Sequence, residues 1–195
     1  MRDRELTRRR LLQASAASVL LAGCGGDDDP PRRPAAAAPT PACDDGDEAT
    51  PPQTEGPYYT PDTPRRSSLL EDGVRGERLV VAGLVIDTAC RPIGRALLDF
   101  WQADAAGEYD NAGFRLRGHQ FTDGHGRFRL ETVVPGVYPG RTRHIHVKAQ
   151  RPGGDVLTTQ LYFPGEPANA GDGLFDEALL MDVRGGRGRF TFVLA

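Results

Sequence analysis

The sequence lacks the hallmarks of several common protein classes. Its 195 residues include one lysine, Lys148, one tryptophan and three cysteines, and the formal net charge is only −3. A charge this close to zero argues against a protein that binds nucleic acid. No internal repeat is visible, amphipathic helix periodicity is weak throughout, and no apolar run reaches the roughly 20 residues of a membrane-spanning helix. The length suits one folded domain of ordinary size.

Residues 1–24 have the features of an export signal and are therefore set apart from the fold. A basic start precedes an apolar run at residues 11–22. Residues 7–12 resemble the twin-arginine export signal, and residues 21–24 resemble a lipobox that ends in Cys24. The alternative is an ordinary secretory signal followed by a chance cysteine. We expect an exported protein of the cell envelope, periplasm or extracellular space, attached to the membrane through a lipid on Cys24.

Residues 25–53 cannot bury a core, because they are mostly Gly, Asp, Pro and Ala. Residues 24–49 hold seven acids against two arginines, a charge of −5. This composition predicts a disordered, solvated tether. If Cys24 is lipidated, Cys43 and Cys90 remain, and an even number in an exported chain suggests a disulfide between them. Two free thiols are the alternative.

Residues 54–195 alternate short apolar runs with Gly, Pro and Asp, the pattern of an all-β domain. Strands are predicted at residues 79–86, 96–103, 127–133, 143–149, 156–163 and 189–194, with a short helical turn at 175–181. The simplest architecture for these elements is an antiparallel β-sandwich of two sheets. Any functional site must then come from side chains at strand ends and on loops.

The stretch at residues 138–146 carries the strongest chemical signal. His144 and His146 are two apart in a predicted strand, so their imidazoles point to one face while Ile145 points to the other. Tyr138 lies six residues before His144, across a Pro-Gly break that can fold it back toward the same point. Tyr109 ends a glycine-bearing loop after another strand. Imidazoles and phenol oxygens that converge are a plausible start for a transition-metal site. The alternative is a surface His-x-His.

Six patterns, three of which include residues already described, occur in order along the domain. They are Gly56-Pro57-Tyr58-Tyr59; Trp101-Gln102-Ala103-Asp104 with Gly107 and Tyr109; Thr122-Asp123 with Gly126 and Phe128; Pro135-Gly136-Val137-Tyr138; Arg141 with His144-Ile145-His146; and residues 157–163 around Gln160. Each is weak alone. Together, over residues 54 to about 166, they resemble the intradiol ring-cleavage dioxygenases, the family of catechol 1,2-dioxygenase and protocatechuate 3,4-dioxygenase.

The resemblance implies a β-sandwich that holds a mononuclear non-haem Fe(III) through two tyrosines and two histidines. Matched by motif, these ligands are Tyr109, Tyr138, His144 and His146. Arg141 matches the catalytic arginine and Gln160 the glutamine of the following strand, while Tyr138 is also expected to take up a substrate proton. The implied partners are a small aromatic diol and O2, and the implied product is a muconate-type diacid.

The ligand types suit ferric iron on chemical grounds. A tyrosine titrates near pH 10, but a hard trivalent cation favours the phenolate, and two phenolates offset two of its three charges. Zinc prefers cysteine, histidine and carboxylate ligands. Two departures concern the pocket rim: residues 141–144 are Arg-Thr-Arg-His where the family has Arg-Pro-Ala-His, and the segment from Tyr138 to His144 is shorter.

Two other functions are compatible with the sequence. The chain could be an inactive cell-surface β-sandwich that binds a ligand or partner, although ligand types at all four motif positions argue against lost activity. It could also be an iron enzyme whose substrate is a hydroxylated quinol or a lignin-derived fragment. Tyr58 or Tyr59 is expected to line the pocket. The oligomeric state and the ring substituents of the substrate are left open.

Overall fold

The computed structural model describes residues 48–195 and confirms an all-β domain. Two short 3-10 helices, Pro167–Gly171 and Glu177–Leu179, separate β6 from β7. Within residues 48–195 there is no helical segment that could span a bilayer. The strands are β1 Arg78–Asp87, β2 Leu97–Trp101, β3 Arg117–Phe121, β4 Arg127–Val133, β5 His144–Gln150, β6 Val156–Tyr162, β7 Asp182–Arg184 and β8 Arg187–Leu194.

The strands form two four-stranded sheets. Sheet I has the order β4-β1-β8-β7 and sheet II the order β3-β2-β5-β6. Neighbouring strands are antiparallel except for β1 and β8, which are parallel. The predicted sandwich is confirmed, and this parallel pair is the one departure from purely antiparallel sheets. Strands β3 and β7 were not predicted, because β3 is short and largely polar and β7 has only three residues.

The core lies between the two sheets and follows from alternation along each strand. In β5, Ile145, Val147 and Ala149 face inward and are fully buried. Inward residues of the other strands complete the core, among them Val81, Leu98, Phe100, Leu130, Leu161 and Phe192. Alternation therefore sends His144 and His146 to the outer face of sheet II.

A segment that we call the strap, residues 50–69, crosses the outer face of sheet II. At one end Thr50 N–H donates to the Val193 carbonyl (3.0 Å), and Gln53 N–H donates to the Thr158 carbonyl (2.8 Å). At the other end Arg66 N–H donates to the His119 carbonyl and Leu69 N–H to the Glu131 carbonyl (both 2.8 Å). The strap thus buries polar side chains on a sheet face that would otherwise meet water.

Several predictions fall outside the described residues. The signal at residues 1–24, the lipidated Cys24, Cys43 and the tether up to residue 47 are among them. Cys90 is disulfide-bonded, and its pairing with Cys43 stays a prediction. Thr50 and Gln53 belong to the segment predicted as tether, yet both are hydrogen-bonded to the sandwich.

Candidate metal centre

His144 and His146 form the centre of the site on β5. Their Nε2 atoms are 3.1 Å apart, and the two residues are 3% and 1% exposed. Two ring nitrogens at this distance either share one proton or direct both lone pairs at a common cation. The arrangement therefore has the geometry of a paired imidazole ligand set.

Two different contacts orient the two imidazoles. His144 Nδ1 lies 2.7 Å from the Thr142 carbonyl, which can only accept, so Nδ1 carries the proton and Nε2 is left as a lone pair. Burial lowers the pKa of His144 to about 4, which keeps the ring neutral. The His146 ring stacks on the indole of Trp101, with centroids 4.7 Å apart and planes 7° apart, and its Nδ1 has no hydrogen-bond partner within residues 48–195.

Two tyrosines approach this pair from loops. Tyr109 Oη is 3.5 Å from His144 Nε2. The Tyr138 ring packs against His144 and Tyr109, with centroid distances of 5.7 and 5.9 Å. Tyr58 of the strap stacks on Tyr109 at 4.5 Å. Burial is the largest effect on both phenols and raises the pKa of Tyr109 and of Tyr138. Either phenol therefore needs a nearby cation before it can ionise at neutral pH.

Arg141 supplies a fixed cation beside Tyr138. Its Nη1 donates to Tyr138 Oη (3.4 Å), its Nη2 donates to Gln160 Oε1 (2.5 Å), and its Nε donates to Asp172 Oδ2 (2.9 Å). Gln160 Nε2 in turn donates to the Thr54 carbonyl of the strap (3.0 Å). Gln160 thus holds Arg141 in place, and its expected contact with substrate stays a prediction.

Asp172 belongs to this network and was not found from the sequence. Its side chain is 2% exposed and accepts from Thr142 N–H (2.8 Å) and Leu174 N–H (2.9 Å) as well as from Arg141. Burial alone would raise the pKa of Asp172, but these hydrogen bonds together hold it below its usual value. No local pattern marks Asp172, because it lies in an irregular loop 31 residues after Arg141.

Arg117 is a second residue that sequence reasoning missed. It is 1% exposed and makes no ion pair in the part of the chain that the structure describes. Its guanidinium donates to the Asp110 carbonyl (3.0 and 2.7 Å) and to the Tyr58 carbonyl (2.5 Å), and lies 6.0 Å from the centre of the Tyr109 ring. Arg117 therefore ties the loop that carries Tyr109 to the strap.

A groove lies beside Tyr138 and Arg141. It has a volume of about 510 Å³ and lies between residues 137–141 and residues 168–172. This volume is in the range of small-molecule sites. A separate cavity of about 430 Å³ borders the Tyr109 loop, where Asp104 and Asp110 already accept backbone hydrogen bonds. Of the two, the groove is the one lined by Arg141 and Tyr138.

Arg143 stands where the resemblance leads one to expect alanine. Its Nε donates to Glu166 Oε1 (2.9 Å), and its Nη1 donates to the Pro135 carbonyl. The side chain joins the segment before Tyr138 to the loop after β6. Arg143, which replaces the expected alanine, thus links the loops on either side of the site through its side chain.

The structure brings together all six side chains predicted for the site, Tyr109, Tyr138, Arg141, His144, His146 and Gln160. The other two histidines lie apart from it: His119 Nδ1 contacts the Thr63 carbonyl at 2.8 Å, and His125 is exposed in a turn. Tyr58 packs on the cluster, whereas Tyr59 packs on Trp101 and donates to Asp99.

The donor set discriminates between metals. Within residues 48–195 no three His, Cys, Asp or Glu side chains converge as a metal site. The cluster offers two neutral imidazoles and two phenols, and phenolate oxygens favour a hard, highly charged cation. The residues present therefore fit a ferric ion better than zinc, whose usual ligand sets this cluster lacks.

Comparison with known proteins gives the class. The family model described as "Dioxygenase" matches residues 54–179. The chain belongs to this family, and its relatives place it among the intradiol ring-cleavage dioxygenases. One relative is the protocatechuate 3,4-dioxygenase beta chain of Burkholderia cepacia, 38% identical over 118 residues, which cover 51% of this chain and 50% of that protein. Another is the catechol 1,2-dioxygenase of Candida albicans, 30% identical over 148 residues, covering 62% and 49%.

Solved structures agree with this assignment. The dioxygenase domain of a dioxygenase–carbohydrate-binding protein fusion from Streptomyces sp. SirexAA-E is 60% identical, with a TM-score of 0.73, and the match covers 75% of this chain and 98% of that one. An intradiol ring-cleavage dioxygenase from Tetranychus urticae is 26% identical, with a TM-score of 0.68 and coverage of 75% and 94%. The chain spans only about half the length of the curated relatives it matches.

Proposed function

We propose that this dioxygenase binds one Fe(III) through Tyr109, Tyr138, His144 and His146 and cleaves a catechol-type aromatic between its two hydroxylated carbons. Both atoms of O2 enter the product, a muconate-type diacid. The observation that carries the proposal is the pair of Nε2 atoms 3.1 Å apart with Tyr109 Oη 3.5 Å from one of them. When bound, the ion would hold both diol oxygens and draw charge from the ring, so that a ring carbon can react with dioxygen.

The chain's own residues would handle the protons and the charge. A diol would lose two protons on binding: one would go to the Tyr138 phenolate oxygen at the mouth of the groove, and the other to solvent through the groove. Arg141, whose Nη1 lies 3.4 Å from Tyr138 Oη, would then stabilise the negative charge that remains on the bound diol. The bonds from Arg141 to Asp172 and Gln160 keep the guanidinium aimed at the groove, so no reorientation is required during the reaction.

Trp101 and the strap would exclude water from the His146 side of the site. The indole covers one face of His146, and a Cβ on Gly56 would lie 3.5 Å from His146 Cε1, so the strap backbone passes close to the ring edge. Gly56 has a φ of +71°, in the left-handed region that glycine adopts without strain. Substrate is then expected to enter through the groove at Tyr138.

We also propose that the protein is exported and acts on aromatics outside the cytoplasm. The support is the twin-arginine-like and lipobox-like pattern at residues 7–24. The 60% identical Streptomyces domain comes from a cellulolytic bacterium and is fused to a carbohydrate-binding protein, which favours diols released from plant material as substrates. An inactive binding module is the less favoured function, because all four ligand types stand at the motif positions and lie close together.

The test is to load the purified protein with ferric iron and record its visible spectrum and its oxygen uptake with catechols. We expect a reddish protein from phenolate-to-iron charge transfer, one O2 consumed per diol, and a product cut between the hydroxylated carbons. Tyr109→Phe should weaken the colour and the activity, while Tyr59→Phe, a strap tyrosine that faces Asp99, should change neither. A colourless protein that stays inert with iron would favour the binding module.

A further inference from the structure

The outer face of sheet I carries a concentration of arginine that the net charge conceals. The register of β4, β1, β8 and β7 places twelve exposed or half-buried side chains on this face. Six are arginines and two are acids, a charge of +4, whereas residues 50–195 as a whole carry 17 basic and 18 acidic side chains, or −1. The twelve are Arg78, Arg127, Arg129, Glu131, Val80, Ala82, Leu84, Arg187, Arg189, Thr191, Asp182 and Arg184.

Most of this positive charge is not neutralised locally. Arg129 pairs with Glu131, and Arg184 pairs with Asp182. Arg127, Arg187 and Arg189 are exposed and make no ion pair with any residue of the described range 48–195. All three stand on a sheet face that the strap does not cover. The face is therefore suited to a broad anionic surface rather than to a small ligand, which would need a concave pocket.

The position at which the N-terminal segment joins the β-sandwich indicates what binds the outer face of sheet I. Thr50 is hydrogen-bonded in both directions to Val193, near the end of β8, so everything before residue 50 joins the domain at sheet I. The sequence predicts a lipid on Cys24 and therefore a membrane at the start of that segment. The metal cluster lies on the outer face of the other sheet. A membrane against sheet I would leave the substrate groove open to solution.

We propose that the outer face of sheet I docks on the anionic headgroups of the membrane. The contact is electrostatic: arginines lie in the negative potential of the lipid surface, and no side chain needs to insert. This contact is separate from a lipid on Cys24, because it would fix the orientation of the body rather than its attachment. The proposal does not depend on the metal or on the reaction.

Vesicle co-sedimentation tests the proposal. The chain from residue 24 onward, with Cys24→Ser so that no lipid is attached, is mixed with vesicles of phosphatidylcholine alone or of phosphatidylcholine with phosphatidylglycerol. We expect binding only to the anionic vesicles and release by salt, because the interaction is screened. The triple variant Arg127→Gln, Arg187→Gln, Arg189→Gln should bind about 100-fold more weakly, at roughly fivefold per arginine.

A matched control removes the same charge from elsewhere. Arg75, Arg95 and Arg115 are also exposed and lie outside this face, so their triple glutamine variant should bind nearly as well as the parent. Thermal midpoints of both variants verify folding. Equal weakening by both triple variants would mean that only net charge matters, and would overturn the proposal. Equal binding to both vesicle types, or no binding to either, would overturn it as well; in the latter case the acidic segment 24–49 becomes the better occupant.

Discussion

The two sheets of the sandwich have the same number of strands and share one core, but their outer faces differ completely. Sheet II carries buried polar and aromatic side chains under the strap, among them His144, His146 and Gln160. Sheet I carries exposed arginines and small apolar residues that meet water. The inner faces of both sheets form the hydrophobic core. The candidate site lies on the one outer face that the strap covers.

The strap converts one ordinary sheet face into a site. Polar groups buried on a sheet need partners, and on sheet II the partners come from the strap and the loops: Thr54 for Gln160, Tyr58 for Arg117, Thr63 for Asp99. On the outer face of sheet I, the polar side chains are exposed or half-buried and can form hydrogen bonds with water. Substitutions at matched places on the two sheets should therefore have unequal effects.

The largest effect is expected at the paired imidazoles. Under the proposed function, His144→Ala or His146→Ala should abolish iron binding and lower ring cleavage by roughly 1,000-fold or more, because each would remove one of four ligands to a cation that contributes several kcal/mol. Iron content per chain and visible absorbance measure the loss directly. His125→Ala, in an exposed turn between the β3 and β4 strands, is the control. Full iron occupancy in either ligand variant would contradict the assignment.

The next largest effect is expected from a substitution in the shared core. It should lower folding stability whether or not iron is bound. Leu161→Ala removes a fully buried side chain from the inner face of sheet II and is expected to lower the free energy of unfolding by about 2–5 kcal/mol. Thr191→Ala on the exposed face of sheet I should change it by less than about 0.5 kcal/mol. Denaturant titration of the iron-free protein compares the two. Similar values would mean that Leu161 does not contribute to the core as its burial indicates.

Two ion pairs allow a direct comparison across the sheets. Asp172→Asn leaves the nearly buried Arg141 cation without its partner and is expected to cost about 3 kcal/mol and to reduce turnover. Asp182→Asn breaks a pair whose arginine and aspartate side chains are 86% and 54% exposed, and should change stability by at most about 0.5 kcal/mol. Thermal unfolding and oxygen uptake measure both variants. If Asp172→Asn behaves like Asp182→Asn, Arg141 is not held as we describe.

The smallest effect is expected at Asp99, under the strap. Burial raises the pKa of Asp99 despite hydrogen bonds from Thr63 and Tyr59, so its ionisation disfavours the folded state. Stability is then lost as the pH rises from the ordinary aspartate range through the raised pKa. Asp99→Asn avoids that loss and should stabilise the protein at pH 7 by about 1 kcal/mol or less.

The pH dependence of this difference is the sharper measurement. The advantage of Asp99→Asn should shrink toward zero by about pH 3, where the wild-type carboxyl is protonated. Unfolding midpoints of Asp99→Asn and the wild type, recorded between pH 3 and pH 7, measure this difference. A stabilisation that persists unchanged in acid would show that the charge of Asp99 is not its cause.

Alternation along β5 was enough to predict from the sequence that His144 and His146 share a face, and order of motifs was enough to add Tyr109 and Tyr138. The first signal is local to one strand, and the second depends on resemblance to a known family. Asp172 and Arg117 could not be predicted in this way, since each acts through contacts with distant loops. The parallel pairing of β1 with β8 joins the two ends of the domain, and no short pattern encodes it.

The contacts of the strap affect the order in which parts of the protein fold. Thr54 and Gln160 are 106 positions apart, and Tyr58 and Arg117 are 59 apart, so the surroundings of the His144–His146 pair close only when distant parts of the chain have met. Such non-local closure is slow compared with forming hairpins. Under the proposed function, uptake of iron is therefore expected to report the last stage of folding, and a chain coloured by bound iron would already be fully folded.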